Sequence, residues 1–200
     1  SVQPHSMEWD TQSFLAATPK PPGTIRVVVF AESAALGSPP DCGYGFWRVL
    51  QVMLEARFPE LTIEVLPMAC AETDSHCMYQ AAKAAVALEP DFFVLYMGNN
   101  EVTGQWGVMN FFARRLRSDV RMVRLWKAFQ TLRIVQSIGD MGRRFYLAVT
   151  GRKGPAPEAI FHRLTMYAPQ DQGVKDCYER FRVNVRDIRD VGISCGAQVV

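Results

Sequence analysis

Three short apolar runs, separated by helical patterns, constrain the fold of this 200-residue chain more than any other feature. The runs predict strands over 25–30, 61–66 and 92–97. Between them, apolar residues recur at helical spacing from Phe46 to Arg57, and an Ala- and Met-rich segment predicts a second helix over 76–88. Strand–helix–strand–helix–strand with short connections is typical of a parallel, doubly wound α/β sheet.

The rest of the chain divides into segments with different patterns. Residues 1–23 read as an N-terminal linker and 24–103 as the α/β core, whereas 104–173 predict a basic, helical, lid-like insertion with a helix over 120–138. Residues 174–200 restore the helical period, with apolar positions at Val174, Tyr178, Phe181, Val185, Ile188 and Val191, and then begin a fourth strand at Ala197. We therefore expect a C-terminally incomplete sheet.

The charge is distributed unevenly along the chain. The stretch 105–155 holds eleven Lys or Arg against two Asp, a net +9, which leaves −7 for the remainder of a chain whose total is +2. Such a basic segment is suited to an anionic substrate, an anionic lipid surface or an acidic partner, although a solvated helix face is an equal alternative. No nucleic-acid partner is expected. The sequence contains no run of eighteen apolar residues, so it predicts no membrane span.

Cysteine and histidine usage predicts neither a metal nor a cofactor. The five cysteines are scattered without a C-x-x-C pair, and three histidines do not complete a zinc pattern. Cys70 and Cys77 are interpreted as buried thiols, with a disulfide as the alternative. Flavodoxin-like cofactor binding is disfavoured because the first strand is followed by Ala31-Glu32-Ser33 rather than a Gly-rich phosphate loop.

Polar side chains follow two of the predicted strands. Ser33 lies after the first strand, and Asn100 follows the third strand within Gly98-Asn99-Asn100-Glu101. Parallel strands would bring both to the carboxyl edge of the sheet, where a hydroxyl nucleophile beside an amide donor forms half of an acyl-transfer site. The simpler interpretation is a serine that caps a helix and an asparagine that forms a turn.

These two motifs resemble the SGNH (GDSL-type) hydrolases. Ala31-Glu32-Ser33 stands where the family has Gly-Asp-Ser, and Gly98-Asn99-Asn100-Glu101 stands where it has Gly-x-Asn-Asp. The longer run from Tyr96 to Gly104 resembles a bacterial branch whose members often have an upstream membrane anchor and downstream tetratricopeptide repeats. The resemblance implies a flavodoxin-like three-layer α/β/α sandwich, Ser33 as nucleophile and Asn100 as oxyanion donor. With the start at Ser1, it also implies an extracytoplasmic or periplasmic location, with a removed N-terminal anchor as the expected tether.

Two departures from that family concern the remaining catalytic groups. The second block, here 68–76, has no glycine, so a backbone N–H at Ala71 or Glu72 would have to complete the oxyanion hole. No Asp-x-x-His block is present to supply the general base, which we expect from downstream sequence. His76 is a candidate replacement, but a structural histidine is the favoured interpretation.

Three residues beside the motif positions, His76, Asn99 and Glu101, are predicted to contact substrate. Glu32 and Glu101 could form a general acid/base pair, but we expect them to hold loops by accepting backbone N–H bonds. The leading hypothesis is a serine-dependent ester hydrolase or acyl transferase that forms an acyl-serine on a small-molecule ester or acylated substrate. The alternative is a catalytically inactive SGNH-like module for binding or assembly through the basic insertion.

Overall fold

The computed structural model describes residues 14–36, 45–71, 73–104, 106–108, 119–130, 132–133, 137, 141 and 168–200. In chain order the elements are β1 (Thr24–Ala31), α1 (Ser33–Leu36), α2 (Phe46–Arg57), β2 (Thr62–Ala69), α3 (Ser75–Ala85), β3 (Phe92–Tyr96), α4 (Val120–Gln130), α5 (Gln172–Ser194) and β4 (Gln198–Val199). A 3₁₀ turn, Val86–Leu88, follows α3. This order confirms the predicted alternation of strands and helices.

The four strands form one parallel sheet in the order β2-β1-β3-β4. β1 lies between its two partners, so that Ala31 pairs with Ala69 on one side and with Tyr96 on the other. This is the strand order of the flavodoxin-like doubly wound fold as far as its fourth strand. The α/β class predicted from the sequence is therefore confirmed.

Helices cover both faces of the sheet because β1 is apolar on both sides. Val28 and Phe30 point into a core with α3 and α5, where Met78 and Ile188 are buried. Val27 and Val29 point to the opposite face, where they pack beneath α2. Such a continuous apolar run is typical of a strand buried between two helical layers.

The observed second strand is longer than the predicted one. β2 continues to Ala69 and includes Pro67, which pairs with Val29 in register. Proline has no N–H to donate to a ladder, and it is tolerated here because β2 is the edge strand of the four. The extra residues carry β2 as far as β1, and both strands end at the same edge.

The buried face of α5 differs from the predicted apolar stripe. Val174 and Ile188 are buried as expected, but Tyr178 is exposed, and the positions between the apolar residues bury Arg180 and Asn184. This helix therefore contributes polar groups to the interior of the domain.

The close approach of α5 to the sheet depends on a glycine. A Cβ added to Gly192 would lie 2.7 Å from Val199 Cγ2 and 2.9 Å from Phe93 Cδ2. The helix backbone therefore rests directly on β3 and β4, and a larger residue at position 192 would force the layers apart.

Several further features concern the described part of the chain. Cys77, Cys177 and Cys195 are free thiols, and Cys42 lies outside the described residues. Cys70 and Cys77 were predicted to be buried thiols, but both are only partly buried. None of the described helices is long and apolar enough to cross a membrane.

An apolar groove of about 350 Å³ lies between α2 and the sheet, lined by residues such as Leu54 and Phe92.

Candidate active site

Ser33 lies at the carboxyl end of β1, where the sequence placed it. Glu32 separates it from the end of the strand, and Ser33 is the first residue of α1. The side chain is half-buried. Because α1 is a single turn of four residues, its dipole adds little to the stabilisation of an oxyanion at Ser33.

The carboxylate of Glu32 joins the end of β1 to the loop after β3. The N–H of Gly98 donates to Glu32 Oε1 at 3.0 Å, and the N–H of Asn100 donates to Oε2 at 3.1 Å. Gly98 has φ of +131°, which a residue with a side chain rarely adopts. Burial raises the pKa of Glu32, and the N–H bonds of this loop oppose that shift. We refer to these contacts of Glu32 with Gly98 and Asn100 as the Glu32 clamp.

Asn100 connects the same loop to the segment after β2. Its Nδ2 donates to the backbone oxygen of Thr73 at 3.0 Å. An amide nitrogen has two hydrogens, and among the described residues the second has no partner. The ends of β1, β2 and β3 are thus held together by one carboxylate and one carboxamide. Asn99 between the two clamped positions is exposed.

The backbone N–H groups of Ala71 and Glu72 were the other predicted oxyanion donors, and the structure tests neither. Glu72 lies outside the described residues. Ala71 is described and half-buried at the end of β2, next to Cys70, whose N–H donates to Ala31 O at 3.2 Å. A backbone N–H at this position stays a prediction.

Glu101 is buried and holds the start of α3. Its Oε1 accepts the N–H of Ser75 at 2.6 Å, and its Oε2 accepts the Ser75 hydroxyl at 3.0 Å. Burial, together with the charge of Asp74, raises the pKa of Glu101 to about 7. These contacts agree with the loop-holding role expected for Glu32 and Glu101. They do not support the predicted contact of Glu101 with substrate, because its carboxylate is turned into the interior.

His76 is fully buried in the first turn of α3. The N–H of His76 donates to Asp74 Oδ1 at 3.1 Å, so Asp74 caps the helix. Among the described residues, neither ring nitrogen has a hydrogen-bond partner, and the indole of Trp106 lies 6.2 Å away between ring centroids. A structural histidine usually has a hydrogen bond to its ring, and no such bond is found in the described part of the chain.

Burial lowers the pKa of His76 to about 4, with the nearby charge of Asp74 opposing the shift and Lys127, Arg180 and Arg124 adding to it. The imidazole is therefore neutral at pH 7. A buried ring has no access to a substrate, which argues against both the general-base assignment and the substrate-binding assignment of His76. The two other histidines, His5 and His162, lie outside the described residues.

The sequence did not reveal a polar network beneath this edge of the sheet. Asn184 Nδ2 donates to Ser75 Oγ at 2.9 Å, and Arg124 Nη2 donates to Asn184 Oδ1 at 2.7 Å. The chain Arg124–Asn184–Ser75–Glu101 links α4 and α5 to the loop after β3. Asp74 was recognisable in the sequence as an N-cap, because it precedes an apolar helical segment. Asn184 was not recognisable, because a search for apolar positions at helical spacing does not detect a buried polar residue between them.

Two further observations concern metal ligands and cavities near this edge of the sheet. Within the described ranges, no group of three or more His, Cys, Asp or Glu side chains is arranged to hold a metal ion. The apolar groove beneath α2 includes neither Ser33 nor Asn100, so its lining is separate from the clamped edge.

Comparisons with known proteins add little to this picture. No protein-family model matches the chain, and no curated protein matches it. Five chains of solved structures match. One is an acetyl xylan esterase with 12% sequence identity and a TM-score of 0.35, over 88% of this chain and 76% of that chain. At that TM-score the similarity carries no argument about function, and the candidate site rests on the geometry described above.

Proposed function

We propose that this protein is a serine-dependent ester hydrolase or acyl transferase with Ser33 as its nucleophile. The supporting observation is the Glu32 clamp, which fastens the loop bearing Asn100 to the residue that precedes Ser33. A nucleophile and an oxyanion donor must be held in a fixed relation for acyl transfer, and a buried carboxylate with two N–H donors provides such a fixed relation.

In the proposed reaction, Ser33 Oγ attacks the carbonyl carbon of an ester and its proton passes to a base. The carbonyl π electrons move to oxygen, and the Asn100 amide hydrogen that does not bind Thr73 donates to the resulting oxyanion. The alkoxide then leaves with a proton, and an acyl-serine remains. Water or an acceptor alcohol attacks the acyl-serine in the second step, releasing acid or a new ester.

The proposal needs a base other than His76. The buried, neutral ring of that residue cannot take the Ser33 proton while it stays in its present position. Unactivated serine is a poor nucleophile at neutral pH. The proposal therefore assigns the base to a residue outside the described part of the chain.

Hydrolysis of p-nitrophenyl acetate tests the assignment when wild type, Ser33→Ala and Asn100→Ala are compared. We expect Ser33→Ala to reduce the rate to the uncatalysed background and Asn100→Ala to lower kcat by about 10²–10³-fold. Ser194→Ala is the matched control because Ser194 is exposed on α5 and its hydroxyl donates to Val191 O of the same helix. Acetylation of the Ser33 peptide, detected by mass spectrometry, would support the covalent step.

The alternative is an inactive module that uses the same fold for binding or assembly. The lowered pKa and full burial of His76 favour it, because the described residues then offer no histidine base. Equal hydrolysis by wild type and Ser33→Ala, without acetylation of Ser33, would contradict the enzymatic proposal and favour this alternative.

A further inference from the structure

The helix α4 has an unusual distribution of apolar and charged residues between its two faces. Met122, Leu125, Trp126, Phe129 and, just beyond the helix, Leu132 are 40–64% exposed. Their spacing of three or four residues places them along one side of the helix axis. We refer to these five residues as the α4 apolar stripe. A surface helix normally turns such a stripe toward the core, so this arrangement requires another explanation.

Among the described residues, charged groups hold the inward face of α4 to the domain. Arg124 Nη1 forms an ion pair with Asp187 Oδ2 at 2.6 Å, and the guanidinium lies 3.8 Å from the ring centroid of Tyr79. Lys127 Nζ lies 2.8 Å from Cys77 Sγ. Only Val120 and Val123 are buried as apolar residues of the helix. These contacts lie on the side of α4 opposite to its apolar stripe.

Basic residues accompany the stripe. Arg121 and Arg133 are exposed at its two ends. In the sequence, the stretch 105–155 has a net charge of +9, and two of its cations, Arg124 and Lys127, face the domain. A helix with Trp, Phe and Leu on one face and Arg or Lys nearby is suited to the boundary between lipid headgroups and acyl chains. Anionic lipids attract the cations, and the acyl-chain boundary accepts the apolar side chains.

We propose that α4 is an interfacial helix that docks this domain onto an anionic membrane surface. The stripe enters the headgroup boundary while Arg121 and Arg133 contact lipid phosphates. The helix lies in the plane of the interface and does not span the membrane, since its eleven residues are too few to cross one. This docking is independent of the proposed acyl-serine chemistry, because none of the residues assigned to that chemistry belongs to the stripe.

Co-sedimentation with vesicles tests the docking. Wild type should bind phosphatidylcholine vesicles that contain phosphatidylglycerol, bind pure phosphatidylcholine much more weakly, and lose affinity as salt is raised. The double variant Leu125→Ser/Phe129→Ser removes two apolar side chains without changing the net charge. We expect about tenfold or greater loss of binding, because both side chains leave the apolar phase. The matched control Val52→Ser/Met53→Ser changes two comparably exposed apolar residues on α2 and should bind like wild type.

The charge contribution has its own pair of variants. Arg121→Gln should weaken binding to anionic vesicles about fivefold, since one cation near such a surface contributes about that factor. Arg48→Gln, an exposed arginine on α2, should leave binding unchanged. This pair also tests the proposal if the double variant on α4 fails to fold.

Three outcomes would overturn the proposal. The first is equal binding to neutral and anionic vesicles, and the second is equal loss of binding from the α4 and α2 variants. The third is the absence of vesicle binding together with a dimer that Leu125→Ser/Phe129→Ser dissociates, since a second copy of the chain would then cover the stripe. None of these outcomes is measured by an esterase assay. A failure of the docking proposal can therefore be distinguished from a failure of the catalytic proposal.

Discussion

Replacing Glu32 with Gln tests the Glu32 clamp most directly. The substitution keeps the size of the side chain but exchanges one carboxylate oxygen for an NH₂ group. Glu32 accepts one N–H on each oxygen, from Gly98 and from Asn100. In Glu32→Gln the amide oxygen can accept only at one of these positions, and the NH₂ group faces a second donor at the other. One partly buried backbone N–H therefore loses its acceptor.

The size of the effect follows from that lost acceptor. A buried donor without a partner costs about 1–3 kcal/mol, and bonds to a charged group lie toward the upper part of that range. We therefore expect Glu32→Gln to lower the free energy of unfolding by about 2 kcal/mol. If the loop shifts so that Asn100 no longer faces the oxyanion, kcat for ester hydrolysis should fall by about a hundredfold.

Urea unfolding and p-nitrophenyl acetate kinetics measure these two quantities. Gly192→Ala is the matched control, because overpacking against Phe93 and Val199 should cost a similar 1–3 kcal/mol far from the carboxyl edge of the sheet. At a temperature where both variants remain folded, only Glu32→Gln should lose kcat. Wild-type stability together with wild-type kcat in Glu32→Gln would refute the role of the clamp. An equal loss of kcat in both variants would show that instability alone accounts for the effect.

Three further changes have defined outcomes. The pKa of Glu101 rises from 4.5 to about 7 on folding, so its stabilising contribution is present below pH 4.5 and is lost as pH rises toward 7. Glu101→Gln should remove about 3 kcal/mol of this dependence in urea titrations at several pH values, and an unchanged pH profile would contradict the burial argument. The pKa of His76 falls from 6.5 to about 4, so stability is lost as pH decreases through that interval, and His76→Phe should abolish this loss while retaining ester hydrolysis. Inactivity of folded His76→Phe would restore that residue as a candidate base. Gly98→Ala should lower the melting temperature and kcat together, since it places a Cβ at φ +131° and 3.3 Å from Phe181, and a wild-type melting curve would be incompatible with this geometry.

The sequence predicted the strands well because their signals were local. β1 and β3 were continuous apolar runs bounded by breakers, and both were found within one or two residues of their predicted limits. β2 was placed three residues too short because proline usually ends a strand. Only the sheet order shows that β2 lies at the edge, where Pro67 is tolerated.

The buried polar groups were harder to anticipate because their partners are distant in sequence. Ser75 meets Glu101 across 26 residues and Asn184 across 109. An asparagine in a helical stripe has the same local pattern whether it faces solvent or closes such a network. The loop-holding role of Glu32 was foreseeable, since an acidic residue at a strand end can accept N–H groups from a neighbouring loop.

The ionisable groups at the carboxyl edge are buried at a cost in free energy. Burial raises the pKa values of Glu32 and Glu101 and lowers that of His76, so it disfavours the charged form of all three. Apolar side chains would fill the same volume without this cost, as they do in the core beneath α3. Perturbed ionisable groups clustered in this way occur at functional sites and also in structural hydrogen-bond networks. The same edge holds the end of β1, which presents Ser33, and the clamped loop, which presents Asn100.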